Sequence, residues 1–490
     1  MAITKVTSSV LDVDVPAFKT FGTSSIMIGD TTTGTIDAAN YNTGVGVDIF
    51  TTLTSGDSNT ALGHRALRIV TTGSSNISIG KDSLYAHTTG SFNVAVGVSA
   101  LQNNTTASNN TAVGQQALFA NTTAADNVAV GAAALTTNTT GSQNTGLGRY
   151  ALETNSTGSF NAAVGFQALE SNTTASNNTA VGSYALFENT TGAGNTSVGY
   201  KSMYTNTTGG TNTAMGYEAL YKNTAQGPNE TFGYRSGRSI TTGYSNSVFG
   251  SYAMDNATAT GHSNTVIGHG SGRAMTSCTV NTLVGSAAGD SLTTGSGNVC
   301  IGYGAGHVFT TGGDNIYIGR NAGGSEYNAG TNRIVIGPDL NADGNNKVFI
   351  GKSGSAVSLN FTSTGTWSQS SDERKKRNIK DDVLGLNFIN NLQTKTFQWK
   401  PSNEFPKEWN DYNEENTQDT DVVMHGLIAQ NVKEALDIEG VDTFSGWEES
   451  IDGMQKVSKE MFVMPLIKAV QELTQQVEEL KLELKTLKGE

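Results

Sequence analysis

NVAVGVSALQNNTTASN, residues 93–109, runs directly into NTAVGQQALFANTTAAD, residues 110–126. The two stretches match over 17 positions: Asn at position 1, an apolar residue at 4, Gly at 5, Ala-Leu at 8 and 9, and Asn-Thr-Thr from 12. The same frame opens at Asn42, Asn59 and Asn76 and continues through Asn127, Asn144 and Asn161 to Asn246. After one extra residue it resumes at Asn264 and runs through Asn281, Asn298 and Asn315 to Asn332. Position 4 is apolar and position 5 is Gly in every repeat from Asn42 to Asn315. Ser25-Ile-Met-Ile-Gly29 is a degenerate first repeat, and Val348-Phe-Ile-Gly351 a last one. A fixed period of this length announces a stack of one structural unit.

The composition of the repeat decides what is stacked. Gly in every repeat, frequent Asn-Thr-Thr-Gly and β-branched residues oppose helix. Alternation at Thr-Ala-Val-Gly suits a short strand with one face inward. Thr-Thr-Gly with neighbouring Asn or Ser supplies the corners. One coil per period gives a β-solenoid, with Val/Ile, Ala and Leu expected inward as a thin column and Asn and Thr stacked in ladders. At roughly 4.8 Å per coil, about nineteen coils make a rod of about 90 Å. One such coil buries little apolar surface, so a trimer of solenoids is expected to bury the remaining faces. From Asn264 onward position 9 changes from Leu to Gly, and a change of cross-section is expected there. No Asp recurs at a fixed position, which argues against calcium-loaded coils, and the many N-x-T triplets follow from the repeat itself.

The chain has 490 residues and a formal charge of −13, which argues against a nucleic-acid partner held by phosphate contacts. Its two cysteines, Cys278 and Cys300, form neither a disulfide framework nor a metal spacing; no metal or cofactor is expected. No apolar run is long enough for a membrane span. Met1-Ala-Ile-Thr-Lys-Val6 lacks the pattern of a secretory signal, so synthesis in a cytoplasm is expected.

The last quarter is a different material. All four tryptophans, Trp367, Trp399, Trp409 and Trp447, lie there, and nine of the eleven residues from Asp372 to Asp382 are charged. Leu384–Leu392 reads as a short helix, Thr394–Lys400 as a strand, 401–420 as an acidic loop and Met424–Leu436 as a helix. Leu466, Val470, Leu473, Val477, Leu480, Leu484 and Leu487 are spaced 4-3-4-3-4-3, a coiled-coil heptad begun by Pro465.

Two resemblances follow from these residues. Asn93-Val-Ala-Val-Gly97 and Asn298-Val-Cys-Ile-Gly302 resemble the head repeats of trimeric bacterial adhesins and repeats of phage tail fibres, over about residues 25–351. Ser371-Asp-Glu-Arg-Lys-Lys-Arg-Asn-Ile379 resembles the signature that opens the intramolecular chaperone of phage tail fibres and tailspikes, the peptidase S74 type. Phe397-Gln-Trp-Lys400, His425-Gly-Leu-Ile-Ala-Gln430 and the terminal coil resemble its later blocks, in order. This second resemblance implies self-cleavage at Ser370–Ser371, with Ser371 as nucleophile, Lys376 as its base, and Asp372 and Arg374 positioning them. The chemistry suits the residues. A serine hydroxyl needs a base, and a lysine serves as one only when burial or cationic neighbours such as Arg374, Lys375 and Arg377 keep it neutral.

The expected fold is therefore mostly β: a trimeric β-solenoid shaft of 17-residue coils, then a small α+β chaperone domain ending in a coiled coil. The expected divisions are 1–24, an attachment or capping segment; 25–351, the shaft; 352–370, a linker to the cleavage site; 371–463, the chaperone; and 464–490, a trimeric coiled coil. The resemblances imply a homotrimeric receptor-binding tail fibre of a virion, attached to the tail or baseplate through its N-terminus and reaching a host surface polysaccharide or another receptor. A bacterial surface adhesin is the first alternative; it should carry a secretion signal and a membrane anchor, and neither is read here. A polysaccharide-degrading tailspike is the second; it requires paired carboxylates on the shaft, and the acidic residues there show no recurring pair.

Overall fold

In a computed structural model the described residues are 17–21, 24–29, 38–224, 227–255, 258–324, 329–341, 344–360, 364–369, 373, 376–407, 409, 412–450 and 453–489. The chain divides into two compact bodies, Met1–Ser370 and Ser371–Glu490.

The N-terminal body is a β-solenoid. Strand β1 (Ala17–Phe21) lies antiparallel on β2 (Ser25–Gly29) and covers the first open edge of the stack. From β2 the ladder is parallel, through β3 (Thr43–Gly46) and successive short strands to β20 (Arg333–Ile336) and β21 (Lys347–Lys352). Each coil contributes one strand, at positions 2 to 4, and pairs with the coil 17 residues on: Thr111 faces Val128, Ala112 faces Ala129, Val113 faces Val130. The rest of each coil is turn, yet it stays bonded to the next, as when Leu118 N–H donates to the Ala134 carbonyl at 3.0 Å. Residues 352–370, read from sequence as a linker, hold antiparallel strands β22 (Ser355–Asn360) and β23 (Thr364–Gln369), which cover the far edge. The loss of the 17-residue period hid them, because an antiparallel cap has no reason to keep it.

The interior differs from expectation in one respect. Ala at positions 3 and 8 and Leu at 9 are inside, as Ala112, Ala117 and Leu118 show, all fully buried. The Val/Ile row at position 4, expected inward, points out: Val45, Leu62, Val130, Val164, Ile267 and Ile301 are 37–46 % exposed. Strand alternation is the reason. With Asn at position 1 buried, position 3 must also face in and position 4 out.

Two asparagine ladders fill the remaining interior. At position 1, Asn161 donates its backbone N–H to the Asn144 side-chain oxygen (3.0 Å) and its amide to the Ala175 carbonyl (2.9 Å). Its own Oδ1 accepts from the Asn178 backbone N–H at 3.0 Å. At position 12, Asn121, Asn138, Asn155, Asn172, Asn189, Asn206 and Asn223 each donate to the Asn one coil before, at 2.8–3.1 Å. That second ladder starts at His87, whose Nδ1 faces the Asn104 amide at 2.9 Å and whose Nε2 faces the Gly90 carbonyl at 2.8 Å. An amide cannot accept at nitrogen, so Nδ1 accepts and the proton sits on Nε2. Burial lowers the His87 pKa, partly opposed by the bonds to Gly90 and Asn104.

After Asn264 the turn at position 9 keeps its backbone conformation and its bond to the next coil, as when Gly272 N–H donates to the Ala288 carbonyl at 2.9 Å. Gly272, Gly289, Gly306 and Gly323 take over position 9 with φ of 55–72°, close to the 52° of Leu118. The coil keeps its path while volume moves elsewhere. Position 3 becomes Leu283, Cys300 and Tyr317 in place of Ala, and position 12 becomes Met275, Leu292 and Phe309 in place of Asn, all buried. A Cβ on Gly323 would run into the Tyr317 ring. Leucine at positive φ is strained, so the exchange relieves the backbone and refills the same core. Cys278 and Cys300 are buried free thiols, and burial pushes the Cys278 thiol up to about 11.

Two outcomes follow from the ladders. Asn161→Ala strands the buried Asn178 N–H and leaves the Ala175 carbonyl with the Asn172 amide alone, and should cost roughly 1–3 kcal/mol, seen as a lower thermal-unfolding temperature. Thr174→Ala, at an exposed corner, should cost within about 0.5 kcal/mol. His87→Asn extends the ladder with the residue used elsewhere. The folded pKa of His87 lies below the unfolded value of about 6.5, so stability is intact above that pH and falls as the pH drops through it. Melting temperatures from pH 7.5 to 5 should therefore decline more for the native chain than for His87→Asn.

Candidate functional site

The C-terminal body is small and differently built. Helix α1 (Leu386–Asn391) and helix α2 (Ala429–Ile438) pack with the start of helix α3 (Val463–Lys488) around Leu384, Phe388, Val432, Ala435 and Leu436. Phe388, Phe444 and Phe462 cluster at ring-centroid distances of 5.2–6.1 Å. Helix α1 has no cap of its own; Glu472 of α3 accepts the Leu386 N–H at 2.7 Å and fills that role.

The two blocks read separately in the sequence are partners. Strand β24 (Thr394–Phe397) pairs antiparallel with β25 (Met424–Leu427), setting Thr396 opposite His425 and Phe397 opposite Met424. The helix expected over Met424–Leu436 therefore starts only at Ala429; pairing to β24 claims the first four residues, and Gly426 among them weakens any helix. A second pair, β26 (Trp447–Glu449) and β27 (Gln455–Val457), gave no signal because each strand is three residues long. Ser402 anchors the acidic loop: its hydroxyl oxygen accepts the Thr417 N–H at 2.8 Å and donates to the Glu415 carbonyl at 3.1 Å. An open groove of about 880 Å³ runs beside β24 and β25, with Ile389, Leu392, Leu427 and Phe462 on its walls and Lys395, His425 and Lys459 among its polar groups.

Of the residues assigned to self-cleavage, Ser370, Ser371, Asp372 and Arg374 lie outside the described residues. Lys376 is described: it is exposed, on a single turn closed by its N–H to the Glu373 carbonyl at 2.9 Å. Arg377 beside it is exposed too. The heptad residues of α3 do not pack on their own domain. Leu466, Val470, Leu473, Val477, Leu480, Leu484 and Leu487 are 41–85 % exposed, while Pro465 and Ala469 are the buried ones.

Residues 371–441 match the family model described as chaperone of endosialidase, Peptidase_S74. The C-terminal body carries a chaperone of endosialidase. The match begins at the residue where the second compact body begins. No curated protein and no solved structure matches the chain. Among the described residues no helix is long and apolar enough to cross a membrane, and no group of His, Cys, Asp and Glu is placed to hold a metal ion.

Proposed function

We propose that this chain is the protomer of a homotrimeric, receptor-binding phage tail fibre. The chaperone sets three solenoids in register and is then released by cleavage at Ser370–Ser371. In this reading the fibre is carried on a virion through its N-terminal region, and its shaft meets a polysaccharide or other receptor on the host surface.

The observation that carries the reading is the position-4 row. It is apolar in every coil from Asn42 to Asn315 and half-exposed along the whole ladder. A partner that covers it must repeat at the same pitch over the same length. Another copy of this solenoid does so. The open heptad face of α3 supports the same partner at the other end of the chain, since three heptads of exposed leucine and valine are what a bundle of like helices buries.

Self-cleavage fits an association-dependent order. Ser371 attacks the Ser370 carbonyl carbon, Lys376 takes the hydroxyl proton, and the Ser371 amine leaves with a proton as the peptide C–N bond breaks. Water then hydrolyses the resulting ester. Lys376 is solvent-exposed in the single chain, and a lysine serves as a base where burial or cationic neighbours favour its neutral form. Neighbouring chains that bury this turn would make it a base, so cutting follows assembly and an unassembled chain keeps its chaperone.

Three variants test the proposal. The native chain should give fragments of about three-quarters and one-quarter of its mass once trimeric, and Ser371→Ala should stay full length; a trimeric native chain that remains whole removes the protease. Val164→Cys places a thiol in the position-4 row, and mild oxidation should link two chains of each trimer. When Val164→Cys and Val198→Cys chains are co-assembled, disulfides should join like variants and not unlike ones.

A further inference from the structure

Aromatic side chains crowd one stretch of the shaft. At position 6 stand Phe166, Tyr200, Tyr217 and Tyr234; at position 7, Tyr150, Tyr184 and Tyr252; at position 10, Phe187, Tyr204 and Tyr221. They form two stacked files along the rod. Tyr200, Tyr217 and Tyr234 follow one another at 5.3 and 5.0 Å with interplanar angles of 22° and 9°. Phe187, Tyr204 and Tyr221 follow at 5.0 and 5.3 Å with angles of 12° and 4°. Tyr184 joins the files, with centroids 5.7–6.3 Å from Phe187, Tyr200 and Tyr204. Lys201 lies over the rings of Tyr184, Tyr200 and Tyr204, and Arg238 over Tyr221. Tyr200, Tyr217 and Tyr234 remain 40–42 % exposed.

The fold does not demand these rings. Other coils carry Gln115, Ala132 or Ser183 at position 6, Gln116 or Ala133 at position 7, and Thr136 at position 10, with the same strand register. Nor does the subunit contact explain them, because a solenoid-to-solenoid interface runs the whole length, as the position-4 row does, and this band is local. It occupies the turn beyond the Gly at position 5 that ends each strand.

We infer that this band is a docking surface for a neutral polysaccharide lying along the rod axis, an inference that rests on the fibre reading above. The period selects the ligand. Equivalent rings recur every 5.0–5.3 Å, so a ligand that uses several must itself repeat at about that step, as an extended chain of sugar rings does. The chemistry agrees: each tyrosine offers an apolar ring edge and a hydroxyl that both donates and accepts, which matches the amphipathic surface of a sugar. Charge selects against a polyanion. Lys201, Arg235 and Arg238 are interleaved with Glu170, Glu188 and Glu218, and Arg238 is already held by Glu218 at 2.7 Å.

The test uses affinity electrophoresis of the full chain through gels containing yeast mannan, a galactomannan or a soluble β-1,4-glucan, with alginate as the anionic arm. The comparison is a triple variant, Tyr200→Ser, Tyr217→Ser and Tyr204→Thr, built from residues the solenoid already carries at those positions. The native chain should be retarded at least tenfold more strongly than the variant by one or more neutral polymers, and not by alginate. Absence of retardation in all three neutral gels, equal retardation of the variant, or retardation by alginate alone overturns the inference. Trimer content and cleavage measured on the same samples report separately on the fibre reading, and both should be unchanged in the variant.

Discussion

A buried backbone N–H at the first residue of every coil has no strand partner, and the asparagine side chain one coil before supplies its acceptor. Asn110 bonds to Asn93, Asn127 to Asn110, and so on to Asn315 on Asn298, at 2.9–3.2 Å. A buried donor left unmade costs more than an average bond gains, so this bond fixes the first residue of each coil on the coil before it, whether the coil between them has 17 residues or 18. Where one residue is inserted between Asn246 and Asn264 the bond survives at 3.2 Å, and the extra residue is taken up elsewhere in the coil. At the ends other groups stand in. The Ser25 hydroxyl accepts from Asn42 at 2.9 Å, and Arg333, lacking an amide side chain to pass on, closes the series on Asn315 at 3.1 Å. Beside this ladder the Gly at position 5 sets how near coils approach: a Cβ on Gly114 would stand 2.6 Å from the Gly131 carbonyl carbon.

What was legible in the sequence was whatever the period repeats. Asn, Ala, Leu and Gly at fixed positions announced a solenoid, its 17-residue coil and its core alanines. The inside-outside assignment of position 4 was misread because Val and Ile are ordinarily core residues; in a coil this thin the pleat, and not hydrophobicity, decides which of two neighbours faces in. The exchange of Leu for Gly at position 9 was visible, but its meaning depends on Tyr317 and Phe309 filling the vacated space from other positions, which no local pattern reveals. In the C-terminal body the long helix and its heptad were plain, whereas β25 was absorbed into the helix that follows it. Of the residues that the motif proposes for cleavage, Lys376 is the one among the described residues, and its exposure in the single chain was not legible because no local pattern fixes it.

The regularity that makes the shaft stable also makes it ambiguous. Moving one solenoid past another by a coil sets Val on Val and Gly on Gly again, so the long apolar row prefers parallel association yet scarcely distinguishes one register from the next. Three-chain pairing over many coils is non-local and slow, which leaves time for such slips. The C-terminal body lacks that degeneracy: its core of Phe388, Phe444 and Phe462 occurs once, and its heptads end where the helix ends. In the proposed fibre the chaperone supplies what the repeat lacks, a single point from which all coils count. The same logic bears on the aromatic band. In a rod where every coil is interchangeable, a local departure such as Tyr200, Tyr217 and Tyr234 defines a level along the axis, and three chains present it together only when their registers agree. In the proposed fibre, alignment by the chaperone and recognition by the aromatic band are then two consequences of one count of coils.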